Sequence, residues 1–180
     1  TASGPGAQRV LEFAQQWRRT HDVHKELPYH FHIRSRPPEH VGLGSGTQLG
    51  LATSLALYRM HNQPVSCPIT LASAVGRGNR SSIGTYGFLH GGLIYDRGKT
   101  QADALGELGA RHALPAAWRI VLIRPAAAAG LSGGEERQAF ARIPPVEAGA
   151  TRELLERIEQ QIIPAVQASD FQQFSNAIYE

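Results

Sequence analysis

The stretch Pro37-Pro38-Glu39-His40-Val41-Gly42-Leu43-Gly44-Ser45-Gly46-Thr47 constrains the fold more than any other part of the chain. It sets three glycines on alternate positions directly before an apolar run. Leu49, Ala52, Leu55, Ala56 and Met60 then recur at helical spacing, so a flexible loop feeds a helix N-terminus. The first N–H groups of a helix have no partner inside it, and the helix dipole adds positive charge there, so the spot favours an anion. Glycines let the backbone approach phosphate oxygens with no Cβ in the way. Ser45 and Thr47 add hydroxyls suited to phosphate or to a phosphate-bound Mg²⁺. The other reading, a glycine-rich turn that only caps a buried helix, stays open. Two common phosphate loops do not fit. GxxxxGK[ST] needs a lysine before the hydroxyl, where Gly46 stands, and GxGxxG needs a glycine where Thr47 stands.

Around this loop the pattern mixes helix and strand. Residues 5–20 form an amphipathic helix, with Pro5 suited to its first turn and Val10, Ala14 and Trp17 on one face. Tyr29 to Arg34 alternates strictly, with Tyr29, Phe31 and Ile33 on one side of a strand and His30, His32 and Arg34 on the other. Residues 69–76 suggest another helix, and a second glycine-rich stretch spans Gly76 to Gly92. Leu93-Ile94-Tyr95-Asp96 and Trp118-Arg119-Ile120-Val121-Leu122-Ile123 read as strands, with 97–116 as a connector between them. A composition break in that connector divides the chain into 1–116 and 117–180. A helix from Thr151 carries Leu154, Leu155, Ile158 and Ile162 and is expected to stop near Pro164. Ser169 is placed to cap a last helix with Phe171, Phe174 and Ile178 on its face. The chain starts at Thr1 and stops inside that pattern, which suggests an excerpt of a longer protein. The order of elements implies an α+β fold without the alternation of a doubly wound sheet.

Charge narrows the partners. The net charge is +3 across 180 residues, aromatics make up 7%, and no basic run appears. An anionic small molecule suits this balance at least as well as nucleic acid, and the dispersed arginines disfavour a nucleic-acid role. With one cysteine, Cys67, disulfide stapling is excluded and a reducing cytoplasm is the natural setting. No apolar stretch approaches the ~20 residues of a membrane span.

Pro38-x-x-x-Gly42-Leu43-Gly44-Ser45-Gly46 resembles the PxxxGLxSS phosphate loop of the GHMP superfamily, named for galactokinase, homoserine kinase, mevalonate kinase and phosphomevalonate kinase. The longer wording PEHVGLGSGTQLGLA looks most like the β-ribofuranosylaminobenzene 5′-phosphate synthase branch. So do Gly76-Arg77-Gly78-Asn79-Arg80-Ser81-Ser82-Ile83-Gly84-Thr85-Tyr86-Gly87-Phe88, the segment His90 to Asp96, Trp118 to Pro125, and Gly130 to Glu136. The resemblance implies a GHMP-type two-domain fold: a ribosomal S5 domain 2-like N-terminal part with a left-handed βαβ unit, and the start of a ferredoxin-like C-terminal domain near Trp118. The implied reaction joins 4-aminobenzoate, or 4-hydroxybenzoate, to phosphoribosyl pyrophosphate with loss of CO₂ and pyrophosphate, in tetrahydromethanopterin biosynthesis. Gly42, Leu43, Gly44, Ser45, Gly46 and Thr47 would bind phosphate with Arg77 and Arg80, and Mg²⁺ would be held by Ser45 and Asp96. His40, His90 and Arg97 are further cationic candidates, and a homodimer is left open. Kinases of the superfamily often carry an aspartate in the segment matching Ser82 to Thr85. This chain has none there, which lowers the rival reading, an ATP-dependent small-molecule kinase. A non-catalytic phosphate-binding module is the third reading.

Other residues invite bland explanations. His30 and His32 share a strand face and have no third metal ligand at a telling spacing. Glu135-Glu136 suit a first helical turn, Ser132 lies in a superfamily-like segment, and Cys67 before Pro68 has no activating neighbour and is read as structural.

Overall fold

The computed structural model describes residues 1–23, 29–39, 41–65, 67–79, 81–99, 104–123, 133–144 and 146–179. Two parallel strands, β1 (Ala2–Ser3) and β2 (Phe31–His32), bracket helix α1 (Ala7–Thr20). Parallel neighbours can be joined only through a crossover, and α1 is that crossover. Exposure alternates from Tyr29 to Arg34 as the period-two pattern requires, although only Phe31 and His32 hold a ladder. On α1 the buried stripe is Val10, Phe13 and Trp17, with Ala14 at its half-buried margin.

Helix α2 (Ser45–Met60) starts inside the glycine loop, earlier than its apolar stripe suggests, and α3 (Pro68–Ser73) follows. Its buried face is Leu51, Ser54, Leu57 and Tyr58, whereas Ala52 and Met60, expected inside, are exposed. The reason is that α2 meets α1, α3 and α4 (Ile83–His90) together. A helix covered on several sides carries little amphipathic signal, so the stripe misplaces its inner face. Phe13, Trp17, Leu51, Leu57, Tyr58, Leu71, Ala72, Ala74 and Val75 form one core. At its centre Trp17 is fully buried, stacked on His21 at 4.1 Å and edge-on to Tyr58 at 5.3 Å. Burial, with the nearby Cys67, pushes the Tyr58 phenol above the ordinary 10.0.

The second glycine-rich stretch folds into α4 and then strand β3 (Leu93–Asp96). The expected connector 97–116 contains a further strand, β4 (Leu108–His112), antiparallel to β3. Gly109 disguises it in the sequence, yet the position requires glycine, because a Cβ there would come within 2.7 Å of the Tyr95 ring. Trp118 to Ile123 is corrected in the opposite sense: it forms no strand. Its β-branched run needs a neighbour to complete a ladder. Among the described residues none pairs with it, and Ile123 is 91% exposed.

The described residues from 133 on form helices: α5 (Gly133–Arg142), α6 (Ala148–Arg157), a π-helical turn at Ile158–Ile162, α7 (Ile163–Ala168) and α8 (Phe171–Tyr179). Pro164 therefore does not stop the helix. A proline lacks its N–H and its ring crowds the carbonyl four residues back. The turn widens just ahead of it, with the Ile163 N–H bonded to the Ile158 carbonyl, and the helix continues. The last helix is capped by Asp170 rather than Ser169: its carboxylate accepts the Gln173 N–H at 2.9 Å. Ser169 instead takes the left-handed conformation that ends α7. With one parallel and one antiparallel two-stranded sheet among the helices of the described residues, the fold is α+β. Among the described residues no helix is long and apolar enough to cross a membrane.

Candidate functional site

Residues Gly42 to Thr47 form the entrance to α2. Gly42 and Gly44 have φ of 77° and 63°, the left-handed region that glycine enters without strain. Gly44 is the N-cap, and having no side chain it leaves the first N–H groups of α2 unguarded. Its carbonyl accepts the N–H groups of Thr47 and Gln48 at 2.9 and 3.0 Å. No acidic residue lies in the first turn of α2 to offset the dipole.

The two hydroxyls have different tasks. Ser45 is buried and donates its hydroxyl to the Pro38 carbonyl at 3.0 Å, which ties the loop back on the prolines that introduce it. One lone-pair face of that oxygen remains for a ligand or its metal. Thr47 packs against α4: a Cβ at Gly84 would stand 3.0 Å from the Thr47 methyl. Beside it, the Gln48 amide donates to the Gly84 carbonyl at 3.0 Å, which fixes α4 against the first turn of α2. Gly84 thus permits close approach, and a carboxylate at that position would have to displace Thr47.

Arg77 lies over the start of α2. One of its terminal nitrogens is 3.7 Å from where a Cβ on Gly46 would be. Its guanidinium also lies over the Phe13 ring, 4.9 Å from the centroid. The fold therefore brings together Gly42 to Thr47, Arg77 and the first turn of α4 at Gly84, the latter two lying thirty or more positions after the loop in the sequence. Arg80, His40 and Ser132 lie outside the described residues, as do the side chains of Glu135 and Glu136.

The remaining candidates have structural partners. Asp96 caps α4: one carboxylate oxygen accepts the Ser82 N–H at 3.0 Å and the Ser82 hydroxyl, and the other accepts the Gly98 N–H at 2.8 Å. With both oxygens engaged, Asp96 fits a protein-held Mg²⁺ poorly, and among the described residues no three of His, Cys, Asp and Glu converge on a metal position. Arg97 pairs with Glu107 at 3.2 Å and approaches Glu159 at 3.8 Å. His90 ends α4, where its carbonyl accepts from Arg111 at 2.8 Å. His30 and His32 share the Ser3 hydroxyl, 2.9 and 3.0 Å from their ring nitrogens. Cys67 stands at the N-cap of α3, its sulfur 3.1 Å from the Thr70 hydroxyl.

Two features have no advance signal in the sequence. Gln48 reads as one more polar helix position, and Phe13 as part of a core stripe. A shallow cavity of about 270 Å³ also borders the loop, lined by Pro38, Val41, Leu43, Leu122 and Ile123. It joins the loop to the extended run that forms no strand.

The span that carries this loop is similar to known proteins. The GHMP kinases N terminal domain matches residues 8–92, a span that contains α1 but for its first residue, the loop, α2 and α4. The beta-ribofuranosylphenol 5′-phosphate synthase of Methanothermobacter thermautotrophicus is 30% identical over 184 residues, covering 96% of this chain and 55% of that protein. The synthases of the same name from Archaeoglobus fulgidus and Methanocaldococcus jannaschii are 33% and 28% identical, over 77% and 81% of this chain and 47% and 48% of their own lengths. The chain thus spans about half the length of the curated relatives it matches.

Proposed function

Since residues 8–92 are a GHMP kinase N-terminal domain, we propose that this chain supplies the phosphate-binding half of a synthase that makes a β-ribofuranosyl arene 5′-phosphate. The observation that carries the reading is the convergence of an unguarded helix N-terminus, two loop hydroxyls and the Arg77 guanidinium. In the reaction, the ring carbon bearing the carboxylate of a 4-substituted benzoate attacks C1 of phosphoribosyl pyrophosphate. The C1–oxygen bond breaks and its electron pair leaves with pyrophosphate. The aryl–carboxylate bond then breaks as CO₂, and its pair restores the aromatic ring. The relatives' name specifies a phenol, which favours 4-hydroxybenzoate over 4-aminobenzoate as acceptor.

This chain's residues serve the departing pyrophosphate. Charge grows on its oxygens in the transition state, where fixed N–H donors and a guanidinium stabilise it most. The apolar cavity of Val41, Leu43, Leu122 and Ile123 suits a ring next to that charge. Mg²⁺, when bound, would neutralise pyrophosphate charge, and its protein ligands would be few, with Asp96 committed to α4.

The kinase reading keeps one observation in its favour, the family to which the matched domain belongs. Against it, the Ser82 to Thr85 segment offers no base: Ser82 is bound to Asp96, Gly84 has no side chain and Thr85 is buried. The two readings separate in one experiment on the whole protein. With phosphoribosyl pyrophosphate and carboxyl-labelled 4-hydroxybenzoate, labelled CO₂ and pyrophosphate should appear in equal amounts. ADP formed from ATP with no CO₂ released would replace the synthase by a kinase.

A further inference from the structure

Arg77 belongs to the loop after α3, where a long cationic side chain would ordinarily sample many rotamers. In this fold an aromatic ring is one of the partners that hold it. Phe13 is buried on α1, and the Arg77 guanidinium carbon lies 4.9 Å from its centroid. The ring itself is fixed from the other direction: a Cβ at Gly50 would stand 3.2 Å from two of its outer carbons, so α2 lies hard against it. The same guanidinium reaches the first turn of α2 at Gly46. One ring therefore touches both the helix that presents the loop and the cation that serves it. Arg9, the other guanidinium near this ring at 5.1 Å, is half-exposed and paired with Glu12, so it does not compete for the loop.

The placement also answers an electrostatic problem. A cation set at the positive end of a helix is repelled by the dipole unless an anion lies between them or another attraction holds it. The negative face of an aromatic ring is such an attraction, and it strengthens as water is excluded.

We propose that Phe13 is the positioning residue for Arg77: its ring face holds the guanidinium over Gly46 before the pyrophosphate arrives, so that binding does not have to order that side chain. The inference rests on the phosphate-binding reading above. Phe13 touches no substrate, and its effect passes entirely through Arg77.

The test is a double-mutant cycle read by calorimetric binding of inorganic pyrophosphate with Mg²⁺ to the whole protein, with thermal stability followed in parallel. Phe13→Leu should weaken binding by about 3- to 10-fold, the range expected for losing a partly desolvated cation–π contact. In an Arg77→Ala background, Phe13→Leu should weaken it no further. Phenylalanines with successively more ring fluorines at position 13 keep the shape while draining the ring face, and affinity should fall step by step with no matching fall in melting temperature. Additive losses in the cycle, or affinity indifferent to fluorination, would overturn the role of Phe13 and leave the loop reading intact. An Arg77→Ala protein that binds pyrophosphate as well as the wild type would overturn both.

Discussion

The helices before residue 76 and the segments between 118 and 154 contain the same kinds of apolar residue and treat them in opposite ways. In the first region Trp17, Leu51 and Leu71 are wholly buried against one another. In the second, Ile120, Val121, Leu122 and Ile123 are 69–91% exposed, and Phe140, Ile143, Val146 and Leu154 are exposed as well. The difference is not composition. Residues of α1, α2 and α3 meet partners far along the chain, whereas the run 118–123 meets no strand among the described residues. Hydrophobicity supplies a drive to bury, and a partner surface decides whether the drive is met. The glycine loop lies in the first region, which explains how such a segment keeps a defined shape. It is braced by Pro38, by Gly84 across Thr47 and Gln48, and by the core beneath α2.

The sharpest way to break this comparison is to truncate one large apolar side chain in each region. Trp17→Ala should cost about 3–5 kcal/mol of unfolding free energy, whereas Ile123→Ala should stay within about 0.5 kcal/mol. Urea denaturation of the whole protein checks both, and a large loss at Ile123 would mean that the run is buried in solution. Next in size is Asp96→Asn, which weakens the charged cap that holds α4 against the loop. We expect a loss of about 1.5–3 kcal/mol, seen in the same melts, and faster amide exchange at Ser82. A smaller effect should follow from Ser45→Ala with Thr47→Ala. Each lost hydroxyl should cost about 1 kcal/mol of pyrophosphate affinity by calorimetry, and unchanged affinity would move the anion elsewhere. The smallest effect concerns pH. Burial raises the Tyr58 phenol above its unfolded value, so the native state holds that proton more tightly than the unfolded chain. The stability this contributes is complete below 10.0 and is lost as the pH rises beyond it. The wild type should thus melt at a lower temperature with rising alkalinity, and Tyr58→Phe should show a shallower slope.

Much of the site was legible in advance, and for a local reason. Glycines that must adopt positive φ, a helix start and flanking hydroxyls are neighbours in the chain, so their joint meaning survives without a structure. The helices were legible in the same way, since 3.6-residue periodicity is a short-range property. What failed was long-range. Strand β4 was hidden by Gly109, whose purpose is visible only once the Tyr95 ring lies across it. The run 118–123 had strand chemistry but found no ladder partner among the described residues. Pro164 should have ended a helix that instead absorbed it in a π turn.

By itself, then, the sequence determined a mixed fold, a glycine loop at the start of α2 and the family to which that loop belongs. The tertiary structure decided which side chains serve the loop. Ser45 turns its hydroxyl to Pro38, Asp96 binds Ser82 and Gly98, Gly84 admits Thr47, and Phe13 lies beneath Arg77. Backbone preferences are set by neighbours a few residues apart. The partner of a buried ring or a charged group is set by whatever the rest of the chain brings within a few ångströms.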